Sequence, residues 1–242
     1  MSESKVALIT GANKGIGFET ARQLGQQGMT VLIGARDAAK GEQAAKTLQA
    51  EGICAEAVVL DVTSRASVDA AAETVGNKYG HLDILVNNAG VFLDWGTSAF
   101  AVTEDVLRQT YETNVLGPFR MIQAFLPLLK KSPAGRIVNL SSVLGSTGLA
   151  ADPSTVYSKS RGAAYATSKA ALNMLTVAFA NELRRTNIKV NNAHPGWVKT
   201  EMGGAGAQME IPEGAQTSVR LATLPADGPT AGFFHKDDTL PW

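Results

Sequence analysis

A single cysteine, Cys54, is the whole of this chain's thiol chemistry. It excludes an internal disulfide framework and a cysteine-rich metal site, and it suits a reducing cytoplasm. Histidine is nearly as scarce: His81, His194 and His235 show no ligand spacing, so no metal centre is expected. An excess of either charge is missing too. Lys plus Arg number 22 and Asp plus Glu 22, which leaves no net field to draw the protein to nucleic acid or an anionic membrane. No apolar run reaches the ~18 residues of a membrane span. Met1-Ser2-Glu3-Ser4-Lys5 leads straight into a strand-like run, without the hydrophobic core or cleavage site of a signal peptide. Repeats, low-complexity tracts and long linkers are also lacking. These absences predict one soluble, cytoplasmic domain over residues 1–242, with a small-molecule partner and neither nucleic acid nor membrane.

What is present is a regular alternation. Val6 to Thr10 reads as a strand, followed by the glycine turn Gly11-Ala12-Asn13-Lys14-Gly15-Ile16-Gly17 and a helix ending near Gln27-Gly28. Val31 to Gly34 is the second strand, and Asp37 caps a helix running to about Glu51. Val58 to Leu60, a polar helix from Ser64 to Tyr79, and Leu82 to Val86 continue the pattern. Two helical stretches follow, Thr103 to Asn114 and Gly117 to Lys131, then strand Arg136 to Leu140. A helix through Tyr165 and Lys169 runs to about Arg184, and strands Ile188 to Asn192 and Thr230 to Phe234 close the chain. Such alternation, with unbroken apolar strands, predicts a single doubly wound α/β domain: a mostly parallel, seven-stranded sheet with helices on both faces. Ligands of such sheets bind beyond the carboxyl ends of the strands, where strand order reverses.

The chemistry concentrates in a few places. Tyr165-Ala166-Thr167-Ser168-Lys169 sets a phenol and an ammonium four residues apart, on one helical face. A free phenol titrates near ~10, and a nearby cation favours its ionised form, moving it toward acid or base work at neutral pH. Alone, the motif is a weak signal whose ordinary reading is a half-buried tyrosine beside a solvated lysine on an amphipathic helix. The loop Gly11-x-x-x-Gly15-x-Gly17, between strand and helix, turns tightly and presents helix N-terminal N–H groups to a pyrophosphate. At the end of the second strand, Ala35 stands where an acid would grip a ribose 2′-hydroxyl, and Arg36 follows. That favours a 2′-phosphate, hence NADP, with Lys14 as a second cation. Asp37 lies about 20 residues past Gly17, where the NAD-specific acid is sought, and is read instead as the helix cap, with NAD the minority outcome.

Taken together, Thr10 to Gly17, Asn87-Asn88-Ala89-Gly90, Asn114, Ser141-Ser142, Tyr165-x-x-x-Lys169 and Pro195-Gly196 resemble the short-chain dehydrogenase/reductase family across nearly the whole chain. Gly11 to Gly17, Ala35-Arg36-Asp37, Pro195 to Met202 and Trp242 look most like its NADPH-dependent carbonyl reductases. The resemblance implies a Rossmann domain and NADPH/NADP as cofactor. It implies a catalytic set of Asn114, Ser142, Tyr165 and Lys169. Ser142 hydrogen-bonds a substrate carbonyl, Ser141 being the lesser candidate. Tyr165 gives the proton as hydride reaches carbon, and Lys169 holds the nicotinamide ribose and lowers the phenol's pKa. Asn114 supports a water joining Lys169 to solvent, or merely mends a helix break. Cofactor contacts carried over are Gly11, Asn13, Lys14, Gly15, Ile16, Gly17, Arg36, Asp61, Val62, Asn88, Ala89, Gly90, Tyr165, Lys169, Pro195, Gly196, Val198 and Thr200. Asp61 reads as an adenine contact or as a plain turn aspartate.

The interval between Ser142 and Tyr165 exceeds that of the shortest family members, and the extra segment near Ala151 to Gly162 is expected to wall the substrate pocket, with 200–215 on the same side. It contains a decoy: Tyr157 is followed four places on by Arg161, not by lysine. Leu93, Trp95, Val143, Leu144, Trp197 and Met202 are read as pocket lining or as core. Homodimer and homotetramer stay open. So do three functional readings: reduction of aldehydes and ketones by NADPH, a dedicated steroid, sugar or 3-oxoacyl reductase, and a silent NADP(H) sensor.

Overall fold

A computed structural model describes residues 4–242; Met1, Ser2 and Glu3 of the leading segment lie outside the described residues. The strands are β1 Val6–Thr10, β2 Thr30–Ala35, β3 Ala55–Val59, β4 Ile84–Asn87, β5 Arg136–Leu140, β6 Lys189–Ala193, β7 Phe233–His235 and β8 Asp238–Thr239. They form one sheet in the order β3-β2-β1-β4-β5-β6-β7-β8. The pairs from β3 through β7 are parallel, whereas β8 returns antiparallel to β7. The expected count of seven strands is therefore corrected to eight. Lys236, at φ 50°, turns the chain back so that Phe234 and His235 meet Thr239 and Asp238, a pairing too short to carry a hydropathy pattern.

Side-chain alternation along the central strand makes two cores. Val6 and Leu8 of β1 face one layer with α3 (Arg65–Tyr79), α5 (Gly117–Leu129) and the end of α7 (Ala163–Glu182), while Ala7 and Ile9 face the other. That second layer contains α1 (Gly15–Gln26), α2 (Ala38–Ala50) and α8 (Ile211–Ala222). Asp37 caps α2 by accepting from the Lys40 N–H, as its sequence position predicts. Helix α8 went unrecognised in the sequence; Pro212 at its start disguises an apolar stripe that packs on the sheet.

The two helical stretches predicted around Asn114 are one rod. α4 (Glu104–Tyr111) passes through a π-helical turn, Glu112–Leu116, directly into α5. The remaining helix, α6, is Thr147–Ala151. No helix among the described residues is long and apolar enough to cross a membrane. Chain order reverses at β1, with β2 on one side and β4 on the other. The crevice opens there, between the loop after β1 and the loop after β4.

Candidate active site

The two loops at the switch point are stitched together. Asn88 Nδ2 donates to the carbonyls of Thr10 (2.8 Å) and Gly11 (3.2 Å), and Thr10 Oγ1 accepts from the N–H groups of Asn88 and Ala89. A β-carbon on Gly17 would fall 2.3 Å from Asn88 Nδ2, so the third glycine of the loop makes room for this latch. Gly11 and Gly15 sit at φ 63° and 61°, the left-handed region that glycine enters freely. Space above Gly15 is open to the Thr200 methyl. Helix α1 begins there with no side-chain cap and no acid in its first turn, and Asn13, Lys14, Ile16 and Gly17 surround its free N–H groups. An uncapped helix start beneath an open glycine turn fits a dinucleotide's pyrophosphate.

The neighbouring cations behave differently from one another. Arg36 makes no side-chain hydrogen bond or ion pair among the described residues and lies near Asp61, helping to hold that carboxyl below its usual range after the larger effect of Thr63. Asp61 itself accepts from the Thr63 N–H (2.9 Å) and hydroxyl (2.7 Å), a local turn. Lys14, expected beside a 2′-phosphate, is instead paired with Glu201 across the cleft. Val62 packs where Gly117 begins α5.

Helix α7 brings Tyr165 and Lys169 to the floor of the crevice, and both are buried. Lys169 Nζ donates to the Leu140 carbonyl (2.7 Å) and stands 5.5 Å from the centroid of the Tyr165 ring. Burial pulls the ammonium down to about 8. Burial also pushes the phenol up to about 12, with the Ser142 hydroxyl working in the opposite sense. Burial is the dominant influence on the phenol, and the Lys169 ammonium is held against a carbonyl beside it. The phenol is protonated at neutral pH, the form a proton donor needs.

Ser142 follows β5, and its Oγ accepts from the Leu144 N–H (3.2 Å). The turn holding it lies close against α7, since a β-carbon on Gly145 would come within 2.7 Å of the Lys169 backbone. Ser141 is structural: its hydroxyl donates to Asn173 Oδ1 (2.6 Å), which also accepts from Asn192 Nδ2. This buried network extends through Thr176 and Asn139 to Asn87. It lies behind the serine, and Asn139, Asn173, Thr176 and Asn192 escaped the sequence because they come together only in the fold.

Asn114 is fully buried, with its amide occupied by Val91 N–H (2.9 Å), Val91 C=O (2.9 Å) and Ser168 Oγ (3.0 Å). It sits in the π-helical turn and fixes the loop after β4 to α7. Gly90 fills the gap between Asn114 and Lys169, where a β-carbon would be 3.4 Å from Asn114 Oδ1 and 3.7 Å from Lys169 Nζ.

A cavity of about 660 Å³ opens over these groups. Ile16, Ser142, Tyr165, Pro195, Gly196, Val198 and Thr200 line it among the predicted site residues, as do Trp95, Val143, Leu144, Trp197 and Met202; Leu93 does not. Of the 200–215 segment, Thr200, Met202 and Gly203 face it, while residues from Ile211 onward belong to α8. Val156, Tyr157, Ser160 and Arg161 line the opposite side. Phe92 was missed by sequence reasoning: its ring stacks on Tyr165 at 4.0 Å and 6°, then meets Trp95 at 4.8 Å. His194, also lining the cavity, is held down to about 3 by burial and by His235.

The short chain dehydrogenase family profile matches residues 5–210. A short-chain dehydrogenase, anuI, of Penicillium roqueforti is 39% identical over 224 residues, which span 90% of this chain and 88% of the relative. Carbonyl reductase [NADPH] 1 of Bos taurus is 34% identical over 100% of this chain and 99% of its own. The NADPH-bound carbonyl reductase from chicken fatty liver superposes with a TM-score of 0.86 at 30% identity, covering 99% of this chain and 100% of that one. The chain belongs to the short-chain dehydrogenase/reductase family and is similar, within it, to the NADPH-dependent carbonyl reductases.

Proposed function

We propose that this protein reduces aldehyde or ketone carbonyls to alcohols with NADPH. The observation that carries the reading is the convergence of Ser142 and Tyr165 in the wall of one largely apolar cavity, with Lys169 buried behind them and its Nζ 5.5 Å from the Tyr165 ring centroid. NADPH, when bound, supplies the hydride. Gly11, Asn13, Gly15, Ile16 and Gly17 would hold its pyrophosphate end, with Arg36 and Lys14 on the 2′-phosphate and Asp61, Val62, Asn88, Ala89 and Gly90 along the adenosine. Pro195, Gly196, Val198 and Thr200 would flank the nicotinamide.

The chain's own work is protonic and positional. Ser142 donates to the substrate carbonyl oxygen and Tyr165 Oη delivers the proton to it. Lys169, a cation at neutral pH, stabilises the phenolate left behind. It is resupplied with a proton through a water held at the Asn114 turn, where both hydrogens of the Asn114 amide are already committed to Val91 C=O and Ser168 Oγ. The phosphate must also draw Lys14 away from Glu201.

The test is NADPH oxidation with activated aldehydes and ketones, for wild type beside Tyr165→Phe. Turnover should fall by about 10²- to 10⁴-fold in the variant, the usual worth of a general acid, with NADPH binding retained. Equal turnover in both proteins would remove Tyr165 as the acid, and tight NADPH binding with no turnover in either would shift the reading to a silent sensor.

A further inference from the structure

The same cavity carries an uneven distribution of charge. Its far wall is aromatic and apolar, and Trp95 and Trp197, tilted against each other at 6.3 Å, remain 55% and 49% exposed. Neither Asp, Glu nor Lys lines it among the described residues, and His194 is neutral there. Arg161 is the exception. It lines this cavity, and it also borders a neighbouring hollow of about 170 Å³ beside Ser98 and Ser160.

Most of the other arginines are partnered. Arg22, Arg65, Arg108, Arg120 and Arg220 pair with carboxylates, Arg136 donates to backbone carbonyls, and Arg184 to Asn181. Arg36, Arg161 and Arg185 have no side-chain partner among the described residues; Arg36 is the residue assigned above to a phosphate, and Arg185 follows the end of α7 and lines neither of these two cavities. Arg161 alone of these faces the space in which the substrate lies. A guanidinium offers a planar fork that matches a carboxylate, and a neighbouring apolar wall strengthens such a pair by excluding water from one side. The reacting group is fixed at Tyr165, four residues further along the chain, so a ligand held at both ends must be bifunctional.

We propose that Arg161 is a specificity residue that selects carbonyl substrates carrying a carboxylate at the end remote from the reacting carbon, joined to it by an aromatic or other apolar body. This rests on the reading of the site as a carbonyl reductase. Arg161 binds the carboxylate, the Trp95 and Trp197 side of the cavity covers the body, and Ser142 and Tyr165 receive the carbonyl. The decoy motif Tyr157-x-x-x-Arg161 thereby has a role distinct from the catalytic one.

The experiment compares kcat/KM with NADPH for 4-formylbenzoate and 3-(4-formylphenyl)propanoate, each against its methyl ester, in wild type, Arg161→Gln and Arg161→Glu. Wild type should prefer at least one acid over its ester. Arg161→Gln should lose roughly tenfold on that acid and little on the ester, the size expected of a charge-assisted contact weakened by solvent. Arg161→Glu should lose more, and added salt should narrow the wild-type preference, since the side chain is solvent-exposed. Turnover of the esters without any acid preference, or equal losses on acid and ester, overturns the Arg161 assignment alone. Failure of wild type to reduce any carbonyl overturns the reading of the site together with it.

Discussion

Lys169 is a cation with 5% of its surface exposed and a backbone carbonyl, not a carboxylate, as its partner. Its ammonium titrates near 8 in the folded chain against an ordinary 10.5. Between those values the unfolded chain binds the extra proton and the folded one does not, so stability rises with pH across that window; below about 8 the full cost of burying the charge is present. Lys169→Met removes this dependence. Its stability relative to wild type should therefore decline between pH 8 and 10.5, by up to about 3 kcal/mol. Loss of the donor to Leu140 C=O adds an offset that does not vary with pH. Thermal midpoints of both proteins, taken across that range, check it, and a difference that stays flat would mean that burial does not shift Lys169. Tyr165 and Lys169 could be picked out from their spacing together with the other motifs of the chain. Their protonation could not, because it depends on how much water the folded chain removes.

The catalytic helix α7 shows a similar division at the scale of an element. Its own start is poor: Gly162 at the N-cap offers no side chain, and the first turn has no acid. The cap comes from Asp94, in the loop after β4, whose buried carboxylate accepts from the Ala164 N–H (2.7 Å) and the Tyr165 N–H (3.2 Å). Gly162 is required beside it, since a β-carbon there would fall 2.6 Å from the Phe92 ring. Asp94→Ala should lower stability by about 1–3 kcal/mol and reduce kcat more than it weakens NADPH binding. Asp94→Asn, which keeps one acceptor, should recover part of both. Denaturation curves read beside NADPH titrations decide this; an Ala variant with unchanged stability would deny Asp94 the capping role. A cap supplied from seventy residues away leaves no local signature, which is why the sequence rules that found Asp37 passed over Asp94. The π-helical turn at Asn114 escaped for the same reason, appearing in the sequence only as a gap between two helical stretches.

For the molecule as a whole, cofactor and substrate sides are built from different parts of the chain. In the proposed function the adenosine and phosphate end is held by the loops after β1 to β4, the segment after β6 flanks the nicotinamide, and residues between β5 and α7 line the substrate cavity. Shortening the segment between Ala151 and Gly162 should therefore alter the range of aldehydes and ketones reduced while leaving the NADPH Kd nearly unchanged. A substrate panel run beside a fluorescence titration of NADPH would show it, and a lost cofactor site would place the segment wrongly. By itself the sequence determined the doubly wound fold, the glycine turn and the shared helical face of Tyr165 and Lys169. Strand periodicity, positive-φ glycine and helical spacing are local rules that act along a few neighbouring residues. Only the tertiary structure decided that Lys14 meets Glu201, that Phe92 stacks on Tyr165, that Arg161 stands unpaired in the cavity wall, and that burial pushes the phenol above its ordinary range. Each of these depends on burial and on contacts between distant stretches, which come into being when the sheet brings the ends of its strands together.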